Sequence, residues 1–208
     1  MRFASCIVLT ACLGLCACGG LPSSPSTAPA TDPSSSPSTT TVAIPAFLVA
    51  GTPVGPSTPC PAIGFDDAGA AASPVTTYTR CGFTVTATTP NWAVWTGYGH
   101  PAPFIGFMSA AGATTTAEIR VTAAAGTFTF QSVDVYSSTT PIPYVITGFA
   151  NSATVLDLRG TQPNTYGNFA TISNPNTNAQ IDALVIHLSN PAAPCCSNPT
   201  GLDNIVVK

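Results

Sequence analysis

The sequence predicts an all-β protein, a sandwich or barrel of short antiparallel strands preceded by a disordered tether. Three observations carry that expectation. From about Cys60 onward, short runs of β-branched and aromatic residues alternate with Gly, Pro, Asn and Thr, the pattern of strands separated by turns. No apolar period of 3.6 residues persists over a useful window, so no substantial helix is expected. Before that point, residues 19 to about 58 form a Pro/Ser/Thr tract with one charge, Asp32, and little to bury ahead of Val42. Such a tract cannot offset its ordering entropy and reads as a flexible linker.

The strands expected are Ala62–Phe65, Phe83–Thr88, Ala93–Thr96, Phe104–Met108, Ala117–Ala123 and Phe128–Tyr136. Tyr144–Phe149, Thr154–Leu158, Phe169–Ile172, Ala183–Leu188 and Asp203–Val207 follow. Ile119 and Val121 alternate with Glu118, Arg120 and Thr122, as on a half-buried strand. Leu184, Ile186 and Leu188 do the same against Ala183, Val185 and His187. Phe128 and Phe130 share a face, yet Gln131 and Ser132 both intervene before Val133, which predicts a bulge or a bend between sheets. Val42 to Val54 is more apolar than the rest of the tract, but Pro45 and Pro53 restrict it to an edge position.

Composition narrows the function. Only 6% of the 208 residues are charged, 45% are apolar, and the formal net charge is -3. The five basic residues are scattered, so there is neither an electrostatic footprint for nucleic acid nor a polybasic patch for anionic lipid. Thr, Ser and Asn must then supply the solvated surface, a habit of exported β-proteins.

The N-terminus points to export. Arg2 precedes a mostly apolar run from Phe3 to Cys16, too short to span a bilayer. Leu15, Ala17 and Cys18, followed by Gly19-Gly20, resemble the bacterial lipoprotein signal. That resemblance implies lipid attachment at Cys18 and a membrane anchor, with the outer membrane as destination in a Gram-negative cell because Gly19 stands where a retention Asp would be. Cys16 departs from the motif, and Leu9-Thr10-Ala11-Cys12 fits it letter by letter with a very short apolar region ahead. The alternative is an ordinary secretory signal. The expected division is residues 1–17 signal peptide, 18–58 lipid-anchored linker and 59–208 sandwich domain.

Within the domain the motif order is Ile63-Gly64-Phe65-Asp66-Asp67, Cys81-Gly82-Phe83-Thr84-Val85 and Phe128-Thr129-Phe130-Gln131-Ser132-Val133-Asp134-Val135. Tyr144-Val145-Ile146-Thr147-Gly148-Phe149 and Gly201-Leu202-Asp203-Asn204-Ile205-Val206-Val207 complete it. This looks like the jelly-roll β-sandwich of galactose-binding-domain-like modules, and is similar to exported PEP-CTERM-type proteins. The sorting tail of those proteins is not expected here, since the chain stops at Lys208 with the last strand. The resemblance implies an antiparallel jelly roll acting as a binding or adhesive module. It also singles out Asp66, Asp67 and Asp203, which would converge where first and last strands meet and suit a structural Ca²⁺. Their bland alternative is as turn acceptors and an Asx contact.

Four cysteines lie in the domain, Cys60, Cys81, Cys195 and Cys196. An even number in an exported chain implies disulfides, and three pairings are open. The stretch Asn91 to Pro101 holds Trp92, Trp95, Tyr98 and His100, an aromatic and polar set suited to stacking and hydrogen bonding with a sugar. The alternative is that the tryptophans anchor the core. Arg159, Asn164 and Tyr166 are further candidates for that site. Catalysis finds no motif: there is no GxSxG or HExxH, and Glu118 is the only Glu. The expected function is a non-catalytic, envelope-anchored binding module with carbohydrate as the ligand class. A structural or adhesive surface lipoprotein contacting proteins or matrix is the alternative, and a hydrolase, needing two paired carboxylates, a distant third.

Overall fold

Strict alternation of apolar and polar residues builds two sheets in the computed structural model, which describes residues 60–109, 112–193 and 197–208. Eleven strands follow one another: β1 (Thr77–Arg80), β2 (Phe83–Ala87), β3 (Ala93–Trp95), β4 (Phe104–Ser109), β5 (Thr115–Ala123) and β6 (Phe130–Ser137). Next come β7 (Ile142–Ala150), β8 (Ala153–Gln162), β9 (Phe169–Ser173), β10 (Ala183–Asn190) and β11 (Asn198–Val207). One sheet has the order β1-β2-β5-β10-β7-β8 and the other β3-β4-β11-β6-β9, with every pairing antiparallel. The protein is an antiparallel jelly-roll sandwich, and among the described residues every regular element is a strand.

The inward positions form the core. Ile119 and Val121 of β5 register with Ile186 and Leu184 of β10, all fully buried, while their polar neighbours point out. Ile105, Phe107, Val133, Val135 and Leu202 supply the opposing wall from the five-stranded sheet. Trp92 crosses between the layers: its ring packs edge-on against Phe107, and its Nε1–H donates to the Glu118 carbonyl on β5 at 3.0 Å. Burying that indole with its donor satisfied ties the two sheets together at one end.

Ten of the expected strands are present, and two differences are instructive. Residues 62–65 make only a bridge, Ile63 to Ile205, rather than a strand. This segment takes over the edge of β11 beyond Leu202, where β4 stops pairing. The unexpected strand is β1, whose sequence Thr-Tyr-Thr-Arg has one apolar ring and is half-exposed throughout, so it carries little hydrophobic signal. β1 and β2 join through a two-residue turn at Cys81 and Gly82, both at positive φ, the hairpin geometry that matches strand twist. The irregularity expected near Gln131 and Ser132 is present: Phe128 bridges to Ile181 beside β10, Phe130 belongs to the other sheet, and the β6–β11 register shifts at Ser132.

Candidate functional site

The aromatic stretch after Asn91 divides by strand parity. Residues 92 and 94 face the core; 93 and 95 face away from it. Trp92, expected as a ligand contact, is 1% exposed and belongs to the core, because a β-strand period places it on the inner face with Val94. Trp95 lies on the outer face of the five-stranded sheet, half-buried, with its ring 5.5 Å from that of Tyr98. Together they wall an open groove of about 410 Å³ whose other lining residues are Ala71, Ala72, Ala93, Val94, Thr96, Gly97 and Met108. Among the described residues no charged side chain lines it. Tyr98 and Met108 are 56% and 48% exposed at its rim. Backbone hydrogen bonds from Ala72 N to Val94 O and from Val94 N to Ser73 O, at 2.8 and 2.9 Å, fix the 71–73 wall against β3.

Beneath Trp95 the outer face is itself a packed layer. Gly106 and Gly201 pair across β4 and β11, and the Phe104 ring lies over both. A Cβ on Gly201 would sit 2.6 Å from Phe104 and from the Ile105 carbonyl, so only glycine lets that ring down onto the sheet. Phe104 then reaches Tyr136 and Phe169 at centroid distances of 5.5 and 5.2 Å. This second aromatic layer gives Trp95 a rigid floor. Met108, which sequence reasoning did not single out, shares the outward parity of Phe104 and Gly106, and that alternation was the signal for it.

His100 and Arg159, the other expected contacts, do not line the groove. His100 is exposed and bridges to Asn168, on the same outer face. Arg159 belongs to β8, the far edge of the other sheet, where its Nε pairs with Asp157 at 2.8 Å. Strand order decided this, and nothing local in the chain encodes it.

A second cluster forms where residues 63–67 meet β11. Asp203 is 3% exposed, and its Oδ1 is the buried side-chain polar atom left without a hydrogen-bond partner among the described residues. Burial pushes its carboxyl up to about 6; backbone N–H groups of Asn204 and Phe65 offset part of this, and the charges of Asp66 and Asp134 add to it. The position a Cβ would take on Gly64 lies 3.4 Å from Asp66 Oδ2, 3.5 Å from Asn204 Oδ1 and 3.6 Å from Asp203 Oδ1. Three oxygens, one of them an orphaned acceptor, therefore face one small space. That donor set fits a hard cation such as Ca²⁺.

Asp67, expected as a ligand, is not among those oxygens. It accepts the Tyr78 hydroxyl, which together with Arg80 holds its carboxyl below the usual range. Arg80 Nη1 donates to Gly64 O at 2.9 Å and stands 3.4 Å from Asp66 Oδ2, so the cluster already has one cation at its outer side. Asn204, missed from the sequence, contributes the third oxygen there, and the described residues hold no group of three His, Cys, Asp or Glu side chains suited to a metal.

Cys60 and Cys81 form a disulfide with their Cα atoms 5.7 Å apart. Closing a loop over 21 positions stabilises the domain by about 3 kcal/mol. It pins residue 60, and with it the 63–67 segment, to the β1–β2 turn. Cys195 and Cys196 lie outside the described residues, as do Cys18 and the linker.

No known protein family matches the chain, and no curated protein does. Solved structures that overlap it include a family 61 carbohydrate-binding module in complex with β-1,4-galactotriose, at 10% identity and TM-score 0.39, covering 61% of this chain and 87% of that one. Another is the family 32 module of C. perfringens NanJ in complex with galactose, at 11% identity and TM-score 0.38, covering 62% and 98%. A family 29 module from Piromyces equi overlaps at 10% identity and TM-score 0.39, covering 66% and 85%.

Proposed function

We propose that this domain is a non-catalytic glycan-binding module, held at the cell envelope by lipid on Cys18. The observation that carries the binding reading is the groove walled by Trp95 and Tyr98. It is open, rigidly floored and free of charge, and its aromatic faces match the apolar faces of sugar rings. Thr96 and Tyr98 carry the side-chain hydroxyls of its lining. Titrating the protein with a glycan panel while following tryptophan fluorescence tests this, because a sugar on Trp95 alters the emission and one on buried Trp92 does not. Silence across the panel with retained binding to cells or matrix would replace the glycan reading with an adhesive one.

The anchor rests on Leu15, Ala17, Cys18 and the linker that follows. A mass spectrum of the mature N-terminus decides it, since diacyl- or triacyl-cysteine at position 18 is the expected species. An unmodified terminus, or cleavage elsewhere, would leave a secreted or differently anchored protein.

A second reading concerns Ca²⁺ and is favoured by the orphaned Asp203 Oδ1. Asp66, Asp203 and Asn204 would hold the ion and join the 63–67 segment to the last strand, supplying stability rather than chemistry. Melting in Ca²⁺ and in chelator should differ, and identical curves would end this reading.

A further inference from the structure

Two Tyr-Gly triplets lie far apart in the chain and side by side in the fold. Tyr98-Gly99-His100 belongs to the β3–β4 loop, and Tyr166-Gly167-Asn168 to the β8–β9 loop. Their third residues, His100 and Asn168, pair as a parallel bridge. Each tyrosine therefore sits two residues upstream of one junction. Both are exposed, Tyr98 at 56% and Tyr166 at 82%.

Neither loop is loosely placed. A Cβ on Gly99 would come within 3.1 Å of the Tyr136 ring and 3.2 Å of Phe104, so the first loop lies directly on the outer aromatic layer. In the second, Thr165 Oγ1 donates to Ser137 O at 2.8 Å and accepts the Ser137 N–H at 2.9 Å, fastening the loop to the end of β6. Asn164 Oδ1 accepts the Tyr166 N–H at 2.9 Å. Tyr166 is held at φ 51°, in the left-handed region, where a bulky side chain is disfavoured and Gly or Asn is not. Its ring gains no burial in return, so packing does not account for a tyrosine there.

We propose that Tyr166 is a second stacking surface of the binding face, and that the ligand is a neutral glycan chain several sugar units long. The inference rests on the glycan-binding reading of the Trp95–Tyr98 groove and extends it across the sheet. The groove sits at β3 and the Tyr166 loop leads into β9, the opposite edge of the five-stranded sheet. Trp95, Tyr98 and Tyr166 together offer more ring surface than one sugar covers, whereas an extended oligosaccharide crossing the strands from the groove to the Tyr166 loop uses all three. The Tyr98–His100 loop and its bridge to Asn168 lie along that line. Among the described residues no charged side chain lines the groove, so a neutral chain enters it without stranding a charge.

The test starts with affinity electrophoresis of the full chain in gels containing galactan, xylan, glucomannan or mixed-linkage β-glucan. Calorimetric titration follows, with mono- to tetrasaccharides of whichever polymer retards it. Affinity should rise with chain length. Tyr166→Ala should weaken the tetrasaccharide by about 3- to 10-fold and leave the monosaccharide unchanged, with Tyr166→Phe close to wild type. Trp95→Ala should weaken every length. Tyr166→Gly should melt no lower than wild type, because it relieves the left-handed strain. Tetrasaccharide affinity unaltered by Tyr166→Ala, an equal loss for monosaccharide and tetrasaccharide, or a lower melting temperature for Tyr166→Gly would overturn the role of Tyr166 and leave the groove standing. Wild-type protein retarded by none of the polymers would overturn the glycan reading and this inference with it.

Discussion

On the six-stranded sheet the residues that point away from the core include Thr77, Thr86, Glu118, Arg120, Asp157, Arg159 and His187. On the five-stranded sheet they include Ala93, Trp95, Phe104, Gly106, Met108, Asp134, Tyr136, Phe169, Thr171, Gly201 and Asp203. The same alternation that makes the first face polar and solvated makes the second aromatic. Two loops then cover part of that second face and leave a groove at its β3 edge. The first face spreads its polar and charged groups singly over outward-facing strand positions, as with His187 Nδ1 opposite Glu118 Oε2 at 3.5 Å, where water screens them. The second holds two acids, Asp134 half-buried between Thr171 and Asn204, and Asp203 almost out of water. A sheet face becomes a binding surface here by adding a second hydrophobic layer, and the glycines at 106 and 201 are what admit it.

The largest expected effect separates the inner from the outer surface of the five-stranded sheet. Trp92→Ala should lower unfolding free energy by about 3–5 kcal/mol in urea titration, whereas Trp95→Ala should cost about 1–2 kcal/mol and weaken binding at every ligand length. Equal losses from both would mean that Trp95 is as structural as Trp92.

Next comes the buried acid. Burial pushes the folded-state carboxyl of Asp203 up to about 6, from 3.8 for an Asp in water, so the folded chain retains a proton that the unfolded chain has released. In chelator its contribution is therefore full below about pH 4 and declines by about 3 kcal/mol as pH rises through about 6. Asp203→Asn should flatten that decline in a pH series of melting curves. A profile for wild type that is already flat would place Asp203 in water, like the acids of the other face.

Gly201→Ala tests the second layer directly. Its methyl would press on Phe104 and on the Ile105 carbonyl, and about 1–3 kcal/mol should be lost, with Trp95 emission altered as its floor shifts. Stability within error of wild type would show that the aromatic layer yields easily. The smallest effect belongs to the polar face: Glu118→Gln should change stability by no more than about 0.5 kcal/mol, measured in the same titration.

Much of this was legible beforehand. β5 and β10 announce themselves by alternation, and their inward residues are the ones expected. Trp95 and Tyr98 stood out because Gly and Pro around them promised a loop. For Trp92 the core alternative holds, because parity assigns 92 and 95 to opposite faces, which a reading of the stretch as one loop does not separate. β1 was missed because an edge strand with one half-buried ring has no pattern to detect. Arg159 and Asp67 were chosen for their chemistry, yet strand order sends one to the other sheet and Tyr78 with Arg80 engages the other.

The sequence by itself determined the class of fold, ten of the eleven strands, many of the residues facing the core and most of the groups from which a site is drawn. Those follow from local forces: a period-two pattern, turn residues and burial of apolar side chains act over a few positions. Only the tertiary structure decided which groups meet. It set Tyr98 beside Tyr166 through the bridge of His100 and Asn168, and turned Asn204 and Asp203 toward Asp66. It also laid Phe104 over two glycines from different strands. Those contacts join residues tens to more than a hundred positions apart, and pairing order and register choose them. Neither is written in any short stretch of chain.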